Sequence, residues 1–227
     1  MCGVAGLISL NGELDSRDHD NVLEMGKLLK HRGPNQQGHF FHKSFSIINT
    51  RLSIIDPSAS ANLPLVDGDA GLYLCFNGEI SNYLELKSKF ALDKKYQFKS
   101  QSDTEVLLRL YQEIGISCLK HLSGMFAFSL IDLKRQRAYI VRDYYGINPL
   151  FFSIDHSKIY FSSEVKAFFA LDHVRKTVND EAIYHYFGLG YIPNKLTPFN
   201  EIVEFQGGEY LDIDLVQGRY ELKKYYE

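Results

Sequence analysis

Residues 125–164 read MFAFSLIDLKRQRAYIVRDYYGINPLFFSIDHSKIYFSSE. Four short apolar runs, 126–133, 138–142, 150–154 and 158–161, are rich in aromatic and β-branched residues. Polar stretches or a Gly/Pro-containing turn separate them. That pattern predicts strands joined as hairpins, which favours antiparallel pairing.

Working outward from this meander, residues 71–76 (GLYLCF) form another compact apolar run that leads into Asn77-Gly78-Glu79. Between the two, 84–90 and 103–114 read as helices. In the second, Val106, Leu107, Leu110 and Ile114 make one apolar face. Toward the start, residues 2–10 (CGVAGLISL) read as a strand closed by an Asn11-Gly12 turn. Val22, Met25, Leu28 and Leu29 recur at helical spacing within 15–31, with Asp15 or Ser16 as N-cap and Gly33-Pro34 as the stop. Strand-like runs follow at 39–41 and 45–49. Downstream, 181–187 is helical in pattern, and 209–226 reads as a hairpin around Gln217-Gly218.

Helices and strands therefore mix without a regular β-α-β-α alternation, and neither Gly-rich phosphate-loop motif occurs. The expected class is α+β with antiparallel sheets. Composition agrees with a globular domain: 45% of the 227 residues are hydrophobic and 23% charged. Fifteen Tyr and sixteen Phe suit pleated, half-buried surfaces. A formal charge of −3 gives no electrostatic case for nucleic acid or an anionic membrane. No secretory signal or spanning segment is visible, so a cytoplasmic protein is expected. Cys2, Cys75 and Cys118 are too few and scattered for a disulfide framework or a metal site.

Cys2 carries the chemical interest. If Met1 is removed, a thiol and a free α-amine share one residue. The amine, with an ordinary pKa of about 7.7–8.0, can take the thiol proton directly or through a water. The plainer alternative is a small buried side chain at a strand start. Six further motifs follow in order: His31-Arg32-Gly33-Pro34, Arg51-Leu52-Ser53-Ile54-Ile55-Asp56, Phe76-Asn77-Gly78-Glu79-Ile80, Ser102-Asp103-Thr104-Glu105-Val106, Arg142–Leu150 (RDYYGINPL) and Phe161–Ala167 (FSSEVKA).

Taken together, these motifs resemble the glutaminase domain of class II glutamine amidotransferases, in the asparagine synthetase branch. The resemblance implies an N-terminal-nucleophile hydrolase fold, a four-layer α-β-β-α sandwich of two antiparallel sheets. It implies that residues 1–190 form the amidotransferase domain. Residues 191–227, with Tyr191-Ile192-Pro193 and Gly207-Gly208, resemble a connector toward a synthetase domain.

By position, the resemblance makes Cys2 the nucleophile and Asn77 with the Gly78 N–H the oxyanion hole. Read alone, Asn77-Gly78 is more often a hairpin turn. Arg51 would bind the α-carboxylate of glutamine, and Glu79 and Asp103 its α-ammonium; Ser102 or Asp103 would also cap a helix. His31 and Arg32 would support the pocket from behind, and Arg142 with Asp143 would pair. Asn35 stands where the family usually has Asp. No metal or cofactor is expected for this half reaction. ATP and Mg would belong only to the synthetase domain, since its Ser-Gly-Gly-x-Asp-Ser loop does not occur in these residues. That domain and glutamine are the expected partners, with a homodimer as one possible assembly. A glutamine-sensing homologue and a hydrolase of another amide are the competing functions.

Overall fold

The computed structural model describes residues 1–226. In chain order the elements are β1 (Gly3–Ser9), α1 (Ser16–Leu28), β2 (Gln36–His42), β3 (Phe45–Arg51), β4 (Leu65–Asp67), β5 (Leu72–Ile80), α2 (Tyr83–Lys89), α3 (Leu92–Lys95), α4 (Asp103–Ile114), β6 (Gly124–Asp132), β7 (Arg137–Arg142), β8 (Phe151–Asp155), β9 (Lys158–Ser162), α5 (Asp180–Leu189), β10 (Val203–Glu204), β11 (Glu209–Asp214) and β12 (Arg219–Lys224).

The strands form two six-stranded sheets, ordered β10-β8-β9-β1-β3-β2 and β12-β11-β7-β6-β5-β4. Pairings between these strands are antiparallel. The meander at 125–164 divides between them. The β6–β7 hairpin belongs to one sheet and the β8–β9 hairpin to the other, so residues 143–150 are a crossover and not a turn within one sheet.

Strand alternation explains the layering. On β5, Tyr73 and Cys75 face the inter-sheet core with Val4, Ile8 and Phe45, whereas Leu74 and Phe76 face the opposite way. There they pack on Leu107, Leu110 and Tyr111 of α4. The outer face of the other sheet buries Ala5, Leu7 and Ile48 against Val22, Met25 and Leu29. The result is an α-β-β-α sandwich with three apolar cores. Cys75 and Cys118 lie fully inside two of them.

Capping chemistry sets the helix starts. Asp15 caps α1 in a reciprocal box with Asp18, and Ser102 caps α4 by accepting from Glu105 N at 3.2 Å. Asp103 is therefore the first helical residue and leaves its carboxylate for other partners.

Residues 191–227 were expected to form a connector toward a synthetase domain, with a hairpin at 209–226. Within this segment β10 pairs with β8 and β11 with β7, while Ile202, Phe205, Leu211 and Ile213 are fully buried. Their apolar side chains complete two of the cores, which explains why this segment is held. Glu227, the last residue of the expected connector, lies outside the described residues. Among the described residues, no helix is long and apolar enough to cross a membrane.

Candidate active site

Cys2 immediately precedes β1, one alternation step from inward-facing Val4, so its side chain enters between the sheets. Sγ accepts from Leu52 N at 3.4 Å and approaches Leu52 O at 3.8 Å. Its carbonyl oxygen accepts from Arg32 Nε at 2.8 Å. Burial pushes the thiol above its ordinary value. The Leu52 N–H and the positive charges of the N-terminus, Arg51 and Arg32 act the other way.

Asn77 and Gly78 lie inside β5, paired with Ala127 and Phe126, and are not a turn. Backbone N–H groups two residues apart point to the same strand edge. On this edge Phe76 N donates to Asn49 Oδ1 at 2.7 Å, and Ile80 N donates to Asp103 Oδ2 at 2.9 Å. Gly78 N sits between these two occupied donors. Gly78 has φ +138°, and a Cβ there would lie 2.0 Å from the Met125 carbonyl oxygen. Only glycine fits. The Asn77 side chain is fully buried, and neither Nδ2 nor Oδ1 has a hydrogen-bond partner among the described residues. Buried amides are seldom left so.

Cys2, Arg51, Gly78, Glu79 and Asp103 line one cavity of about 150 Å³. Ile54, Ile55, Leu63, Phe76 and Met125 supply an apolar wall. Arg51 ends β3 and is buried; its guanidinium donates to Ile55 O at 3.1 Å, Asp56 O at 2.5 Å, Ser58 O at 3.5 Å and Asn62 Oδ1 at 3.2 Å. It thus ties down the loop at 52–62 as well as facing the cavity. Asp103 accepts from Ile80 N and from Thr104 N, both at 2.9 Å. Its carboxyl is held above the usual range by burial, with the nearby Glu79 charge adding to the effect against those two N–H bonds. The cavity walls thus include a cation, two acids and a thiol.

Sequence spacing did not bring everything to the cavity. Asn77 is not among its lining residues, and His31 and Arg32 stand outside it. Arg32 and His31 both meet Glu164 Oε1 at 2.9 Å, so they buttress the chain start. Arg142 and Asp143 do not pair with each other. Arg142 binds Glu204 and the carbonyl oxygens of Gly146 and Asn148, while Asp143 accepts N–H bonds from Phe126, Tyr145, Ile147 and Asn148. Adjacent strand residues point to opposite faces, which separates the two side chains and sets both to holding the crossover.

Three residues escaped sequence reasoning. Leu52 acts through its backbone, which no side-chain pattern reveals. Asn49 Nδ2 donates to Gly3 O at 3.0 Å while its Oδ1 takes Phe76 N, so one amide spans the two sheets. An Asn directly after the apolar pair Ile47-Ile48 was the available signal. Asn148 also lines the cavity. Among the described residues no group of three or more His, Cys, Asp or Glu is arranged to hold a metal ion.

The sequence profile of the glutamine amidotransferase domain matches residues 1–226. Asparagine synthetase B (glutamine-hydrolyzing) of Escherichia coli is 38% identical over 168 residues, covering 74% of this chain and 30% of its own length. Asparagine synthetase (glutamine-hydrolyzing) 2 of Bacillus subtilis is 31% identical over 232 residues, covering 100% of this chain and 30% of its own length. This chain spans less than half the length of the curated relatives it matches. Among solved structures, the glutamine phosphoribosylpyrophosphate amidotransferase of B. subtilis shares the fold. Its TM-score is 0.68 at 19% identity, over 99% of this chain and 49% of that one. By sequence along its described length and by fold, this chain belongs to the family of glutamine amidotransferase domains, with glutamine-hydrolysing asparagine synthetases among its relatives.

Proposed function

We propose that the domain hydrolyses glutamine to glutamate and ammonia through a thioester on Cys2. One observation supports this most: the thiol shares a single cavity with Gly78, Arg51, Glu79 and Asp103. Free glutamine carries a carboxylate, an ammonium and a side-chain amide. A buried site must match both charges because unpaired ions are costly away from water.

In this mechanism Arg51, which lines the cavity, takes the α-carboxylate through its N–H edge, and Glu79 with Asp103 takes the α-ammonium. Removal of Met1 frees the Cys2 amine, which accepts the thiol proton as sulfur attacks the amide carbon. Gly78 N–H and Asn77 Nδ2 stabilise the oxyanion, each such donor being worth about 2.7–4 kcal/mol. Asn77 Nδ2 has no acceptor among the described residues, and it must turn toward the cavity, which it does not line here, to donate to that oxygen. The C–N bond then breaks, and the protonated α-amine returns a proton to the departing ammonia. Water attacks the thioester and releases glutamate.

The ammonia passes to an ATP- and Mg-dependent synthetase domain of the asparagine synthetase type, carried in the same full-length protein. Aspartate or another carboxylate is the acceptor, and the setting is cytoplasmic. Arg32 and His31 serve by fixing the Cys2 backbone through Glu164. Glutamate release from glutamine, followed for the wild type and Cys2→Ala with intact mass to establish Met1 removal, tests the mechanism. Activity that survives Cys2→Ala, or none in the processed wild type, overturns it.

A further inference from the structure

Asn148 stands at the start of the β8 side of the crossover, almost fully buried, and lines the cavity shared by Cys2 and Gly78. Four N–H bonds to Asp143 shape the loop that carries it; one of these is its own N–H, at 3.0 Å. Arg142 Nε holds its carbonyl oxygen at 2.8 Å. The backbone is thus pinned on both sides, and the side chain has little freedom to swing away.

The two ends of its amide are in different situations. Nδ2 donates to Asn77 O at 3.3 Å, which fixes the orientation of the amide because only the NH₂ end can face a carbonyl. Oδ1 is buried with no hydrogen-bond partner among the described residues. A buried carbonyl oxygen in a lining side chain needs a donor, and neither Arg51 nor Gly78 N–H fits that need if both serve the substrate as above.

The substrate carboxamide has the complementary feature. Its oxygen goes to donors, and its NH₂ needs an acceptor beside them. We propose that Asn148 is a specificity-determining residue: Oδ1 accepts from the NH₂ of the substrate side-chain amide. Glutamate, which has an oxygen at that position, meets Oδ1 lone pair to lone pair. Asn148 therefore selects glutamine over the glutamate produced and helps clear the product. Through Nδ2 it also steadies the Asn77–Gly78 peptide, whose N–H lies trans to the bonded carbonyl.

This inference rests on the glutaminase reading, and its test separates the two. In a Cys2→Ala background, which binds without turnover, calorimetry measures L-glutamine and L-glutamate separately for Asn148, Asn148→Leu and Asn148→Asp. Asn148→Leu should weaken glutamine binding about tenfold, the effect of one unpaired amide bond, and leave glutamate unchanged or tighter. Asn148→Asp keeps an acceptor and adds a charge that disfavours glutamate, so the ratio of glutamine to glutamate affinity should be retained even where loss of the Nδ2 bond to Asn77 O weakens both ligands. Thermal melts verify folding, and the Asp variant carries the test if the Leu variant fails to fold, since loss of its preference would refute the assignment. Equal weakening of both ligands, or no change in either, overturns the role of Asn148 and leaves the glutaminase function standing. Failure of the parent to bind glutamine overturns both.

Discussion

Arg32 Nε donates to the Cys2 carbonyl oxygen at 2.8 Å, and Arg32 NH1 meets Glu164 at 2.9 Å. Cys2 sits ahead of the first strand, where a chain start would otherwise fray. The arginine supplies the restraint that a terminal residue lacks. Glu164 keeps Lys166 at 3.2 Å as a second partner, so the carboxylate is not stranded when Arg32 is removed. Arg32→Ala should therefore cost about 1–3 kcal/mol of stability, in the range of a single lost charged bond. The expected kinetic signature is a fall of roughly tenfold in kcat, the worth of about 1.4 kcal/mol, with KM less changed. Steady-state glutaminase assays and urea melts check both.

Gly78→Ala tests the backbone itself. The φ of +138° and the Met125 oxygen 2.0 Å from the new Cβ leave no compatible position without moving β5 from β6. A loss of more than about 2 kcal/mol is expected, since strained backbone and overpacking act together. Unchanged melting and activity would show that the strand accommodates a side chain here.

Much of the fold was open to sequence inspection because periodicity reports burial. The α1 and α4 faces, the β6–β9 strands and the terminal hairpin all follow from apolar spacing. What escaped was long-range assignment. Nothing in residues 143–150 says that the chain changes sheets, and nothing in 191–226 says that β10–β12 return to the two sheets. Within the candidate site, the charged motif residues Arg51, Glu79 and Asp103 line one cavity. Polar residues embedded in strands and crossovers, such as Asn49 and Asn148, were not. Their partners lie 27 and 71 residues away in the chain.

Asn49 joins the strand that follows Cys2 to the strand that carries Asn77 and Gly78, through Gly3 O at 3.0 Å and Phe76 N at 2.7 Å. Asn49→Leu keeps the branched shape in a somewhat larger side chain and removes both bonds, leaving a buried N–H and a buried carbonyl. A cost of about 2–4 kcal/mol follows if each orphan contributes about 1–2. Activity should fall more steeply than stability, because the spacing of Cys2 from Gly78 depends on this amide. Chemical denaturation paired with glutaminase rates at a temperature where both proteins are folded decides it.

The raised carboxyl of Asp103 has a definite consequence for stability against pH. Its folded pKa exceeds the unfolded value of about 3.9. Between these two values the native state holds more protons, so this group makes stability fall as pH rises through the window. Asp103→Asn removes that contribution. The stability difference, variant minus wild type, should increase with pH across the window and stay flat above it. Glutamine KM should rise about tenfold or more as one partner of the ammonium is lost. A flat difference across the acid range would show that Asp103 titrates normally.

The thiol of Cys2 is raised by burial while Met1 precedes it, and Met1 itself lines the cavity. Removing Met1 acts on both points. It takes a side chain out of the cavity, and it turns a peptide N–H that cannot accept a proton into an amine of ordinary pKa about 7.7–8.0. Protein prepared with an uncleavable residue ahead of Cys2 should therefore lose at least about a hundredfold of its glutaminase rate, since a positioned general base contributes about 10²–10⁴-fold. Its thiol should also resist alkylation near pH 7, where the thiolate is scarce. Processed protein should alkylate faster with an inflection near the amine pKa, and glutamine should protect it. Equal alkylation rates in the two forms would mean that the amine is not the base, and that Leu52 N–H, Arg32 and Arg51 alone activate the sulfur.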